Sequence, residues 1–331
     1  MELQTRVEVV ANRQPIEYGE RLMLAGSCFA ENMGAKLTDA RFEVDANPFG
    51  ILYNPLSVKS CIERLLDGKK FVADDLFEHR GVYHSFLHHS RFSDVNEEVC
   101  LDKINERLAF STGFLKKTDW LLVTFGTAYV YRLAETDLVV GNCHKLPERN
   151  FVRMRISVET IVNEWNSLIG DLQAANPDIR ILLTVSPIRH LKDGAHENQL
   201  SKSTLLLAVD ELVRQNGCCS YFPSYEIVMD ELRDYRFYAD DMVHPSGQAV
   251  SYIWERFCAT QLSDSARKSL MEWEKLKRAL EHKPFNRDSK EYLLFLKQNL
   301  HKLQQLNEKS VYFALSTEIE RVREQILSFE Q

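Results

Sequence analysis

Short apolar runs alternate along this chain with longer stretches of helical spacing, and few folds accommodate that alternation. Arg21 to Ala25 (RLMLA), Trp120 to Phe125 (WLLVTF) and Ile179 to Val185 (IRILLTV) are the clearest of these runs. Runs this short and this apolar suit strands buried on both faces of a parallel sheet. Parallel neighbours need crossovers of a dozen residues or more, usually helices. The intervening sequence supplies them. FAENMGAKLTDA carries Phe29, Met33 and Leu37 at helical spacing, and Asn54-Pro55 reads as a cap and first turn of a helix to about Leu66. Further helices are expected up to about Lys117, over Val158 to Ala174 and over Ser201 to Gln215. Phe42 to Val44 adds a strand ending in the turn Asn47 to Gly50, and Ser220 to Phe222 a weak one. The expected architecture is α/β, a three-layer α/β/α sandwich around a central parallel sheet.

From about Ser263 the composition changes to Leu, Glu, Lys and Gln, with Leu293, Leu296, Leu300 and Leu303 at helical spacing. Residues 1–262 are therefore expected to form the α/β domain and 263–331 a C-terminal helical extension of two or three helices. That extension either caps the domain or pairs with a second copy to make a homodimer. A formal net charge of -7 argues against binding a phosphate backbone, so no nucleic-acid partner is expected. No apolar stretch is long enough to span a membrane, and the N-terminus is polar, without the core of a secretory signal. The 7 cysteines form no CxxC pair, which together with the polar start points to reduced thiols and a cytoplasmic location.

Two pieces of sequence carry chemistry. Gly26-Ser27 falls at a strand-to-helix turn, where helix N–H groups favour a developing oxyanion; an ordinary N-cap serine would look the same. Asp241-Met242-Val243-His244 places a carboxylate three residues before an imidazole. The acid could fix the ring's tautomer and leave the other nitrogen to take a proton from a serine. An acidic turn before a helix is the plain alternative. Together, a serine after the first strand and an Asp–His pair before the last helix of the sheet domain follow the chain order of SGNH or GDSL hydrolases.

Gly26-Ser27-Cys28-Phe29-Ala30 also resembles the signature of the GSCFA family, an SGNH-like group. So do Asn47 to Gly50, Thr124 to Ala128, Asn142 to Lys145, Ser186 to His190 and Asp241 to Pro245, spread over roughly residues 20–260. The resemblance implies a flavodoxin-like SGNH fold with Ser27 as nucleophile, His244 as general base and Asp241 as its partner. It implies an oxyanion hole from the N–H groups of Ser27 and Gly50. SGNH enzymes complete that hole with the asparagine of a Gly-x-Asn block, but Gly126-Thr127-Ala128 has alanine there. Asn142 is the candidate replacement, and an asparagine in a hairpin turn is the other explanation for it.

Among the remaining candidates, Cys28 beside Ser27 is expected to be buried rather than nucleophilic. His84 and His88 would make a helical i, i+4 pair, yet no carboxylate or cysteine pattern supports a metal. His84, His144, Arg189 and His190 are the substrate-side candidates, the last two as cations at a strand end. Neither GxxxxGK[ST] nor GxGxxG occurs, and no cofactor is expected. The expected activity is that of a serine esterase on a small-molecule or saccharide acyl ester, through an acyl-Ser27 intermediate. Acyl transfer to a hydroxyl acceptor is the alternative reaction. A non-catalytic carbohydrate-binding module on the same scaffold is the alternative class.

Overall fold

The computed structural model describes residues 5–282, 284–286, 289–309 and 311–329; the outermost ends of the two expected domains lie outside them. In chain order the elements begin with β1 (Arg21–Gly26), α1 (Cys28–Asp39), β2 (Glu43–Ala46) and α2 (Pro55–Asp67). A short hairpin follows, β3 (Phe77–His79) and β4 (Val82–His84), then α3 (Glu97–Leu115) and β5 (Trp120–Phe125). A second hairpin, β6 (Tyr129–Leu133) and β7 (Phe151–Arg155), leads to α4 (Val158–Ala175), β8 (Arg180–Val185), α5 (Ala195–Gln215) and β9 (Cys219–Tyr221). Last come α6 (Ser224–Glu226), α7 (Gly247–Gln261), α8 (Asp264–Glu281), α9 (Lys290–Lys309) and α10 (Ser316–Leu327).

Five strands form one sheet in the order β2-β1-β5-β8-β9, a central parallel sheet with helices on both sides. Every residue of β5 is buried, as its unbroken apolar run requires. Counting only these strands, the order is 2-1-3-4-5, that of flavodoxin-like sheets, whose ligands sit at the carboxyl edge beside the first strand. Here that switch point lies between β1 and β5, paired in parallel from Leu22↔Trp120 to Gly26↔Thr124. Ser27 leaves β1 there, and Gly126 leaves β5.

Local chemistry explains the helix ends. Asn54 accepts the Ser57 N–H at 2.8 Å, and Pro55 opens α2. Ser157 caps α4 by accepting from Thr160 N–H at 3.0 Å. Two expectations shift. Helix α5 starts at Ala195 rather than Ser201, and the stretch carrying His84 and His88 is strand and turn, not helix. The i, i+4 geometry that would have paired those histidines is therefore absent. Both small hairpins went unanticipated.

The chain divides into two compact units, one of Met1–Val10, Arg21–Ala35 and Val44–Phe257 and one of Ala11–Glu20, Lys36–Glu43 and Cys258–Gln331. The first holds the sheet and its core, with Trp120, Phe125 and Trp165 among its largest buried side chains. In the second, Tyr18 stacks on Phe42 at 4.2 Å and packs against Phe313, and Trp273 Nε1–H donates to Asp39 O at 2.8 Å. Helix α9 buries Leu296, Asn299, Leu303 and Leu306, so its apolar stripe drifts from the expected line; Leu293 and Leu300 lie at its half-buried margin. No helix among the described residues is long and apolar enough to cross a membrane.

Candidate active site

The turn from β1 into α1 depends on Gly26. Its φ is +137°, and a Cβ there would lie 2.1 Å from the Thr124 carbonyl oxygen. The Gly26 N–H is held by Asn47 Oδ1 at 3.0 Å. Ser27 follows, buried, with its Oγ accepting the Phe29 N–H at 3.2 Å. The hydroxyl thus caps the helix and sits in the field of the first-turn N–H groups, which favours an anionic oxygen. The N-cap role and a nucleophilic role use the same placement.

The second part of the site is a tight turn before α7. Asp241 Oδ1 accepts the N–H groups of Val243 and His244, both at 2.9 Å, and Oδ2 meets His244 Nδ1 at 2.6 Å. Those two backbone bonds, with the imidazole contact, hold the Asp241 carboxyl down at about 2. An ionised Oδ2 can only accept, so the proton of this contact sits on Nδ1, and it is Nε2 that carries the lone pair in the neutral ring. Met242, at φ +57°, makes the turn tight enough for the acid to reach back. Arg189 ties the turn to the end of β8: its N–H donates to Val243 O at 3.3 Å and its guanidinium to Met242 O.

Between these parts lies a network that the sequence reading missed. Tyr53 O accepts the N–H groups of Gly126 and Thr127, at 2.7 and 3.0 Å, while its hydroxyl lies 3.6 Å from Cys28 Sγ. The His190 ring packs edge-on against Tyr53, and the His190 backbone N–H is held by Asn198 Oδ1 at 2.8 Å. Burial, then the Lys202 charge and that of His244, push His190 down to about 4. It is therefore neutral near pH 7, and the expectation of a fixed cation at His190 fails; Arg189 is the guanidinium at this strand end. Below them Lys202, wholly buried, donates to the carbonyl oxygens of Gly126 and Ser186, each at 2.7 Å. Tyr53 and Lys202 carry no local signature. Lys202 is marked out by its burial and Tyr53, 36% exposed, only by the chain crossings around it.

The expected oxyanion donors are otherwise engaged. Ser27 N–H donates to Thr124 O at 3.2 Å, and Gly50 N–H closes a turn on Asn47 O at 2.8 Å. Gly50 is itself fixed by its φ of +83° and by His89, whose Cβ would lie 2.3 Å from an added methyl. Asn142 Oδ1 accepts the His144 N–H at 2.8 Å, an Asx turn. Ala128 is buried in the core, its N–H bonded to Ser201 Oγ at 2.8 Å. Ser27 Oγ and His244 Nε2 are not hydrogen bonded to each other.

The His84 and His144 rings pack tilted against each other, with ring nitrogens on Ser93 Oγ and Ser85 O at 2.7 and 2.8 Å. Burial pushes His144 down to about 4 and His88 to about 3, so these rings are neutral packing groups among Phe49, Phe71 and Phe77. Cys28 is half-buried and burial raises its thiol, which keeps it protonated. Among the described residues no cluster of three or more His, Cys, Asp or Glu is placed to hold a metal ion.

Sheet order and the polar cluster at its carboxyl edge define a flavodoxin-like α/β sandwich with a serine at the switch point. Residues 21–257 match the GSCFA family and residues 273–328 match the GSCFA domain protein, C-terminal domain. The chain belongs to the GSCFA family. Comparison with curated proteins gives no match. Among solved structures the chain is similar to a carbohydrate esterase family 3 from Talaromyces cellulolyticus, with 9% identity over 77% of this chain and 99% of that one, TM-score 0.35. It is also similar to a putative platelet activating factor from Streptococcus pneumonia, with 11% identity over 73% and 85%, TM-score 0.36. Likenesses this distant carry no argument about chemistry.

Proposed function

We propose that the sheet domain is a serine esterase that cleaves a small acyl ester through an acyl-Ser27 intermediate. The observation that carries this is the Asp241–His244 contact of 2.6 Å, made by an ionised carboxylate to Nδ1. It leaves Nε2 as a base, on a turn fastened by Arg189 to the sheet edge from which Ser27 also projects. In the proposed cycle Nε2 takes the Ser27 hydroxyl proton as Oγ attacks the acyl carbon. Collapse of the tetrahedral intermediate returns that proton to the leaving alkoxide, releasing the alcohol. Water then attacks the acyl-Ser27 ester, His244 takes its proton, and the carboxylic acid leaves as Ser27 recovers the proton.

Ser27 N–H and Gly50 N–H turn from their carbonyls to the oxyanion, with the Asn142 amide as the third donor where Ala128 offers none. Arg189 is the substrate-side cation, and an O-acyl or O-acetyl saccharide is the ester. A saccharide hydroxyl in place of water would make the same site an acyltransferase. A saccharide acceptor that outcompetes water in product analysis distinguishes the two.

One observation favours a non-catalytic binding module. Ser27 Oγ and His244 Nε2 are unbonded, and both backbone donors are occupied. A fluorophosphonate serine probe with intact-mass readout decides between them. The esterase predicts one adduct per chain on the native protein and none on Ser27→Ala or His244→Ala. A folded native protein that takes no adduct refutes a working nucleophile.

A further inference from the structure

A cavity of about 520 Å³ opens beside the Asp241–His244 turn, within the sheet unit. Ligand pockets typically run from roughly 300 to 1,000 Å³, so one or two small rings fit. The shared wall is Arg189. Its guanidinium donates to Met242 O on the turn side and lies 4.3 Å over the Tyr238 ring on the cavity side. Whatever fills the cavity therefore touches the group that fastens the His244 turn.

The lining has three parts. Its floor is apolar, with Val228 and Leu232 buried. Val228 comes from Ile227–Glu231, a single π-helical turn that continues α6, and such turns are frequent at functional sites. Its rim is aromatic, with Tyr235 69% exposed and tilted toward Tyr238 at 6.2 Å between ring centroids. An aromatic ring left this open beside a cleft offers a face for stacking. The third part is charge. Arg233 and Asp230 line the cavity, both exposed and neither engaged in a hydrogen bond or ion pair among the described residues. Asp234 is already turned to Arg236, accepting its N–H at 2.9 Å.

These parts select a ligand chemistry. A phosphate or carboxylate would face Arg189 and Arg233 but also Asp230 and Asp234, so the charges cancel. A purely apolar ligand would bury Asp230 and Arg233 without partners, which is unfavourable. A ring with one apolar face and a rim of hydroxyls satisfies both. Its C–H face stacks on tyrosine, while its hydroxyls donate to Asp230 and accept from Arg233. We infer that this cavity binds a neutral saccharide, the alcohol portion of the ester, beside the catalytic turn. The assignment of the ester to this cavity rests on the esterase proposal; binding of the sugar does not.

Saturation-transfer NMR and calorimetry with cellotriose, maltotriose and chitotriose test it, with inorganic phosphate and p-nitrophenol as the anionic and apolar comparisons. The expected result is binding of at least one trisaccharide, on the order of 1 mM as for a single shallow subsite, to the native protein and to Ser27→Ala alike. Tyr235→Ala, at an exposed position that the fold does not need, should weaken it about two- to tenfold, and Asp230→Asn with Arg233→Ala should weaken it further. No sugar signal up to about 10 mM, or tighter binding of phosphate or p-nitrophenol, overturns the inference. Sugar binding without fluorophosphonate labelling would remove the esterase and leave the saccharide site. Labelling without sugar binding would do the reverse.

Discussion

Lys202 sits where a charge is hardest to keep. It is 1% exposed on α5, its Nζ bonds two carbonyl oxygens, and no carboxylate pairs with it among the described residues. Burial pushes its ammonium from 10.5 down to about 7. Between about pH 7 and 10.5 the unfolded chain therefore holds a proton that the folded chain has released. The state that binds more protons loses as pH rises, so stability increases with pH across this window. Below about 7 both states are charged and the penalty is full and constant. Integrating the single-site expression from pH 7 to 9 gives a gain of about 2 kcal/mol.

Lys202→Met removes the titration. Other groups titrate alike in both proteins, so native minus Lys202→Met stability should rise by those about 2 kcal/mol over the same range. The variant leaves the Gly126 and Ser186 carbonyls without their donor, at about 1–3 kcal/mol each, and sheds a buried charge. The lost donor offsets the curves alike at every pH, while the shed charge is the pH-dependent part that the difference reads. Urea unfolding followed through the buried Trp120 and Trp165 reads the difference at each pH. Parallel curves for the two proteins would mean that Lys202 titrates as an ordinary exposed lysine, and would refute the buried, uncompensated cation.

Gly26→Ala should destabilise by roughly 3 kcal/mol or more, because its Cβ meets Thr124 O and its φ is left-handed; the urea midpoint reads it, and a wild-type midpoint would show that the turn has slack. Asp241→Asn keeps an oxygen for the turn's N–H groups but loses the ionised carboxyl, so the midpoint should fall modestly while ester turnover drops on the order of 10²–10⁴-fold, in kcat rather than KM. Unchanged turnover would mean that Asp241 does not orient His244. The Asp241 carboxyl, held at about 2, contributes above its ordinary value of 3.8 and is lost only as pH falls through about 2. Its carbon resonance should accordingly stay that of a carboxylate down to about pH 3, and a midpoint near 4 would contradict the turn geometry.

The parts of this fold that were legible in the sequence are those with one dominant local cause. Uniform burial wrote β5 and β8 as unbroken apolar runs, and Asn54-Pro55 wrote the start of α2. Strands β6 and β7 are half-exposed and mix Arg with aromatics, so no period marked them. The first turns of α5, with His196 and Glu197, are polar and open after Gly194 at φ +83°, which hid the helix start. The same division holds in the site. Asp241 and His244 are three residues apart, so their contact is a property of one turn. Lys202 meets Gly126 across 76 residues of chain and Ser186 across 16, and nothing near any of them announces the meeting.

The occupied oxyanion donors bear on mechanism more than they bear against it. Ser27 N–H rests on Thr124 O at 3.2 Å because the β1–β5 ladder runs to Gly26↔Thr124, and Gly50 N–H rests on Asn47 O. Each is a neutral bond, and a neutral ester carbonyl offers nothing better in exchange. An oxyanion does, since bonds to an ionised acceptor are about twice as strong as neutral ones. The exchange is therefore favourable only once charge develops on the substrate. An interaction gained in the transition state and withheld from the ground state lowers the barrier without tightening substrate binding. In the proposed esterase these donors would therefore contribute to kcat and leave KM to the stacking and hydroxyl contacts proposed for the neighbouring cavity.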